Sequence, residues 1–302
     1  MIQETKKTEK EILVLDAGDL LFFKNIDPSL PSAQKREALL NAQLMVQAFN
    51  LMGCDATGIG ADDLRLGAKD FAALNKMAQF PFISANVVSK DGRQVAVSSV
   101  VKNAGGLRWG IFSLVSAKAS SAPHSKSWKA LDPVTTGNQV VKELQAKADI
   151  IVLLAAMPLA ELRALLPQLP GVTIAVVGGE ASGLVRPLQV GQTIVVCSPP
   201  YGKYLGMLRL SLKDPKAPFV DEARIMELER ALLMAERKIK EGASGSPEEK
   251  KKLEAELQAL REGNIYRNEL ITLSPQFQED QGVKQLIEDF RARQQQPEKG
   301  CQ

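Results

Sequence analysis

The residues able to do chemistry are mostly carboxylates, and they fall in three short stretches. Asp16 and Asp19 stand in DAGD, where an Ile/Leu/Val run ends. Asp62 and Asp63 follow Gly60-Ala61, and Glu180 follows Gly178-Gly179. Carboxylates from separate loops can hold Mg²⁺ or Ca²⁺, because hard cations accept all-oxygen sites. Each position also has a structural alternative. Asp19 can cap a loop by accepting backbone N–H groups, Asp62 and Asp63 can be a solvated pair, and paired glycines can be a turn. Nitrogen and sulfur donors are scarce. The single histidine, His124, lies in a Ser/Pro-rich loop and reads as a surface residue. Cys54, Cys197 and Cys301 are far apart and in no metal-ligand spacing. Cys54 and Cys197 read as small core residues, and Cys301, in a polar tail, as a reactive thiol.

The elements around these residues form an α/β pattern. Residues 12–23 (ILVLDAGDLLFF) read as a buried parallel strand that delivers an acidic loop at its carboxyl end. Residues 150–157 and 172–182 deliver comparable tips, and open α/β sheets bind their ligands at such tips. A helix from Ser32 repeats Ala38, Ala42, Met45, Ala48 and Phe49 on one face and stops at Gly53. Strands are expected over 55–59, 80–87, 95–101, 109–115, 174–177, 193–197 and 207–212. Helices are expected over 68–77, 134–147 and 159–169, and a polar loop over 118–129. Tyr201 and Tyr204 are expected to pack a sheet edge.

From residue 221 the composition shifts to Ala, Glu, Lys, Leu and Arg. Ile225, Leu228, Leu232, Ala235 and Ile239 form a heptad seam, broken at 242–245. Ser246, Pro247 and Glu249 start a second helix that carries Leu253, Leu257 and Leu260. The pattern predicts an antiparallel helical hairpin that offers a surface to a protein partner or to a second copy. A last helix is expected over about 279–293.

The chain has 302 residues, 45% hydrophobic and 24% charged, with a net charge of +3. This balance fits a globular protein and gives no reason to expect nucleic acid, which calls for a clustered basic face. No apolar run approaches membrane-spanning length. The charged first residues show no signal-peptide pattern, so the chain as written reads as cytoplasmic.

In order and spacing, DAGDLLF (16–22), MGCDATGIGADDLRLG (52–67), FPFISANV (80–87), ADIIVLLAAM (148–157), VVGGEAS (176–182) and YGKYLGMLRL (201–210) resemble the 5′-nucleotidase / UDP-sugar hydrolase branch of the calcineurin-like metallophosphoesterases. The resemblance implies a four-layer α/β/β/α sandwich over residues 1–218, then the hairpin over 219–263 and a C-terminal helix and tail over 264–302. It also implies one of two things: an N-terminus that begins further upstream, in which case the chain is periplasmic or exported as is usual for the family, or a sheet that tolerates a vacated first-strand position. Enzymes of this branch use two divalent metals (Mn²⁺, Mg²⁺ or Zn²⁺), and a metal-bound water attacks phosphate. Their first metal motif has no counterpart here. The acidic member of the second motif is Asp19. The Asn-His pair of the third falls on Ala61 and Asp62, a further metal-binding His on Ala156, and the last two His on Glu180 and Ser182. Their nucleoside-binding domain is replaced by the hairpin. The resemblance thus implies the fold with its metal chemistry largely removed, and no cofactor. What survives for a metal is Asp19, Asp62, Asp63 and Glu180. The alternative is a phosphohydrolase whose site is rebuilt from those carboxylates.

Overall fold

The computed structural model of the protein describes residues 1–9, 11–178, 184, 186–199, 202–215, 217–241 and 246–295, the side chains of 293 and 295 excepted. Glu180, Ser182, Tyr201, Cys301 and the 242–245 break lie outside the described residues. The chain divides into two compact units, one of Met1–Lys203 with Leu273–Gln302, the other of Tyr204–Thr272.

The first unit begins with α1 (Ile2–Thr8), β1 (Leu15–Asp16) and α2 (Ser32–Met52). Gly53 ends α2 in the left-handed conformation, φ 68°. Next come β2 (Ala56–Gly58), α3 (Ala68–Met77) and β3 (Phe82–Ile83). The strands β1, β2 and β3 pair in parallel, in that order. Ala38, Ala42 and Val46 of α2 and Phe71 and Leu74 of α3 share one apolar cluster with Ile59 and Phe82, so these helices cover one face of that sheet.

The chain continues through β4 (Val87–Ser89), β5 (Ser99–Ala104), β6 (Leu107–Val115), β7 (Trp128–Ala130), α4 (Pro133–Gln145), β8 (Ile150–Ala156), α5 (Leu159–Leu165), β9 (Ile174–Val177), β10 (Leu188–Val190) and β11 (Thr193–Val196). A larger sheet runs β10-β11-β9-β8-β6-β5, parallel in its centre and antiparallel at both edges. The central strand β8 (IIVLLAA) is apolar throughout, as a strand covered on both faces must be. One side of β6 packs on α4, where a Cβ on Gly110 would meet Leu144. The other side faces β2, where a Cβ on Gly58 would lie 2.8 Å from Ser113 Oγ. Two sheets therefore lie face to face with helices outside each, which is the α/β/β/α sandwich.

The second unit contains β12 (Tyr204–Ser211), β13 (Phe219–Asp221), α6 (Glu222–Lys240), α7 (Pro247–Glu262) and β14 (Asn264–Thr272), with sheet order β12-β14-β13. Ile225 and Leu228 of α6 and Leu257 of α7 are buried together, with Leu232, Leu253 and Leu260 against them. Glu236, late in α6, pairs with Lys250 at the start of α7, while Arg224 and Glu229, early in α6, pair with Glu256 and Arg261 further along α7, so the two helices run antiparallel. Helix α8 (Gln281–Gln295) returns to the first unit and packs on α2. No helix among the described residues is long and apolar enough to cross a membrane.

Three expectations change. The run 12–23 pairs as a strand only at Leu15 and Asp16, both half-buried, and Leu21 and Phe22 enter the α2/α3 cluster from a loop. The expected strand over 80–87 splits, because buried Asn86 diverts the chain. Its side chain donates to Val115 O (2.9 Å) and Leu131 O (3.0 Å) and accepts the Val115 N–H (2.9 Å). Strand β4 then pairs with β7, which begins inside the stretch expected to be a polar loop.

Candidate functional site

The carboxyl end of β1 lies against that of β2, closer than side chains allow. A Cβ on Gly18 would sit 2.7 Å from Gly60 N, and one on Gly60 would sit 2.0 Å from Asp19 Oδ1. Glycine is the residue that fits both places. Asp19 itself has φ 61°, a left-handed conformation that Asp tolerates better than most residues.

Asp63 holds this crossing. It lies in a 3₁₀ turn, Asp62–Leu64, and is fully buried. Its Oδ2 accepts the backbone N–H groups of Asp19 (2.9 Å) and Gly60 (2.8 Å). Its Oδ1 accepts those of Leu20 and Leu21, both at 2.8 Å. An ionised carboxylate offers about four lone-pair sites, and these donors fill them. Asp19 Oδ1 in turn accepts the Asp62 N–H at 2.8 Å. The Asp62 carboxylate receives Arg65 Nε at 2.9 Å and Nη2 at 2.8 Å, and Arg65 Nη1 donates to Ile26 O at 3.0 Å.

His124 is not a surface residue. It is 7% exposed, and its Nε2 lies 3.0 Å from the Ala61 carbonyl, which can only accept, so Nε2 carries the hydrogen. The loop around it folds into two 3₁₀ turns, Ala117–Ser121 and Ser125–Ser127, and fully buried Trp128 follows it into β7. This packing lays the loop over the β2 tip and removes the imidazole from solvent.

The charges at the tips are strained by burial. Burial pushes the Asp16 carboxyl up to about 6, opposed by the Gly18 N–H and reinforced by Asp19. Burial and then the Asp62 charge raise Asp19, while the Asp62 N–H, Lys24 and Arg65 pull it down. Burial and then Asp19 raise Asp63, while its backbone donors pull it down, and four N–H groups on its two oxygens favour the ionised form. His124 is lowered by burial and by Arg65, with the Ala61 carbonyl, Asp62 and Asp27 opposing. Burial pushes the Cys54 thiol up to about 11, consistent with an inert core residue.

A dinuclear metal centre does not fit the described residues of these tips. Ala61 and Ala156, at the positions where the resemblance puts Asn and His, pack against the apolar cluster that contains Leu21, Phe22 and Trp128. Both Asp63 oxygens are occupied by backbone donors, and Asp62 is held by Arg65. Among the described residues, no three His, Cys, Asp or Glu side chains are grouped to hold one ion. Asp19, Asp62 and Asp63 do come together, while Glu180 lies outside the described residues. Arg65 and Asn86 also hold the site region, and neither carries a motif of its own. The spacing of Arg65, three after Asp62, was a legible signal. Asn86 had none, because all its partners are distant in sequence.

No protein-family model and no curated protein sequence matches this chain. Solved structures do. The sulfate thiohydrolase SoxB of Thermus thermophilus superposes with a TM-score of 0.68 at 19% identity, over 97% of this chain and 46% of SoxB. The calcineurin-like phosphoesterase YfkN of Bacillus subtilis gives 0.64 at 16% identity, over 97% of this chain and 86% of that one. A 5′-nucleotidase precursor from Thermus thermophilus gives 0.64 at 20% identity, over 98% and 53%. This chain thus spans about half the length of SoxB and of the nucleotidase precursor. With its sandwich, its sheet order and these superpositions, the chain has the fold of the calcineurin-like metallophosphoesterases and 5′-nucleotidases.

Proposed function

We propose that this protein keeps the metallophosphoesterase fold without its hydrolysis and works as a binding or assembly module. One observation carries the reading: the described carboxylates at the β2 tip are turned inward. Asp63 accepts four backbone N–H groups and Asp62 is paired with Arg65. A carboxylate spent on internal hydrogen bonds is a poor metal ligand, and without bound metal the fold has no device for activating water. Function has to be argued from the site, and a fold shared with nucleotidases does not supply one.

The helical hairpin is the partner surface in this reading. Its heptad seam is consumed by packing α6 on α7. The outward side of α6 still exposes Met226, Leu233 and Met234. Three apolar side chains along one helix suit a protein contact better than water.

The test is hydrolysis of p-nitrophenyl phosphate and AMP by the purified chain, with Mn²⁺ or Mg²⁺ present. The expected result is turnover no higher than buffer. Metal-dependent turnover that disappears in Asp19→Ala would instead establish a phosphohydrolase with a site rebuilt from Asp19, Asp62, Asp63 and Glu180.

A further inference from the structure

We propose that the Asp63 carboxylate is the cross-link that joins the β1 tip to the β2 tip, so that the polypeptide alone orders the crevice where this fold otherwise places metal ions. The disagreement between the fold and its donor set points there. Beyond Asp16, the β1 chain leaves the ladder, so the N–H groups of Asp19, Leu20 and Leu21 have no strand partner. Buried N–H groups need acceptors. One carboxylate supplies all three and also takes the Gly60 N–H from the opposite loop.

The surrounding residues are built around that arrangement. The left-handed Asp19 turns its own N–H toward Asp63, and its side chain accepts the Asp62 N–H, closing a second tie between the same two loops. Gly18 and Gly60 permit the close approach. Leu21 and Phe22, just past the tied N–H groups, are then delivered into the apolar cluster that also holds Ala61 and Ala156. Outside the crossing, Arg65 reaches Ile26 O and His124 reaches Ala61 O, which fasten both loops to their neighbours. A bridging cation would have to draw Asp63 away from these donors and leave their N–H groups unpaired, each at a cost. The inference goes beyond the loss of hydrolysis, and the two stand or fall separately.

The experiment is amide hydrogen exchange by NMR on the full chain, first in EDTA, then with Mg²⁺ or Zn²⁺ added. The Asp19, Leu20, Leu21 and Gly60 amides should exchange at least about a hundredfold slower in EDTA than in the denatured chain, as tied core amides do. Added metal should leave them unchanged. In Asp63→Asn, two acceptor sites become N–H donors aimed at other donors. Protection at the four amides should then be lost while that of β8 persists, and metal should not restore it. The wild-type arm decides the matter even if this variant fails to fold. Exchange of the four amides at open-loop rates in EDTA, or protection that appears only with metal, would overturn the proposal. Metal binding with unchanged protection would leave the tie standing and count instead against the loss of hydrolysis.

Discussion

Arg65 closes on Asp62 with two nitrogens, Nε at 2.9 Å and Nη2 at 2.8 Å, where both side chains are mostly out of water (14% and 15% exposed). Exposed pairs contribute little, but removing one partner of a desolvated pair leaves an uncompensated charge. Arg65→Ala also leaves Ile26 O without its donor. The expected loss is about 1–3 kcal/mol in denaturant unfolding. Arg65→Lys, which keeps the charge without the planar fork, should fall between wild type and Ala. An unchanged midpoint in Arg65→Ala would mean that the pair contributes nothing to the tip.

Asp16 should make this domain less stable as pH rises through the acid range. Its folded pKa, raised to about 6 by burial, lies above the unfolded value of about 3.9. The contribution is therefore fully present below about pH 4 and is lost as pH rises through about 6. Asp16→Asn keeps an acceptor for the Gly18 N–H and removes the charge. It should stabilise the protein by about 1–2 kcal/mol at pH 7.5 and flatten the slope between pH 4 and 6. A variant less stable than wild type at pH 7.5 would contradict the cost that burial places on the Asp16 charge.

His124 should act in the same direction on the acid side as any buried neutral histidine. Its folded pKa lies below the unfolded value of about 6.5, so the unfolded chain binds the proton first and stability falls as pH drops below about 6.5. Because the chain has one histidine, its ring resonances are unambiguous. They should titrate below about 6.5 in the native protein and near it in denaturant. His124→Gln, which retains an N–H donor for Ala61 O, should narrow the stability gap between pH 7.5 and 5.5. A native midpoint at or above the unfolded one would place His124 in solvent, as its loop composition first suggested.

Much of the fold was legible because it is carried by local pattern. The apolar run of β8, the helix stop at Gly53 and the seam of α6 all follow from periodicity and caps. What the sequence hid depends on distant partners. β14 breaks its apolar residues with the polar run Arg267-Asn268-Glu269, so its strand character emerges only when β12 and β13 flank it. His124 sits among serines and prolines, and only the β4–β7 pairing brings it over Ala61. At the β1 and β2 tips, the sequence singles out Asp19, Asp62 and Asp63 as candidate carboxylates. It could not say that Asp63 faces four backbone N–H groups, because three of them come from more than forty positions earlier.

The most direct test of the central claim is titration calorimetry of the purified chain with Mn²⁺, Zn²⁺ and Mg²⁺. With Asp63 saturated by backbone donors, Asp62 held by Arg65 and alanine at positions 61 and 156, no binding heat is expected at millimolar metal. Micromolar binding of about two ions per chain would contradict this account, since a dinuclear centre is what the fold's hydrolytic chemistry requires.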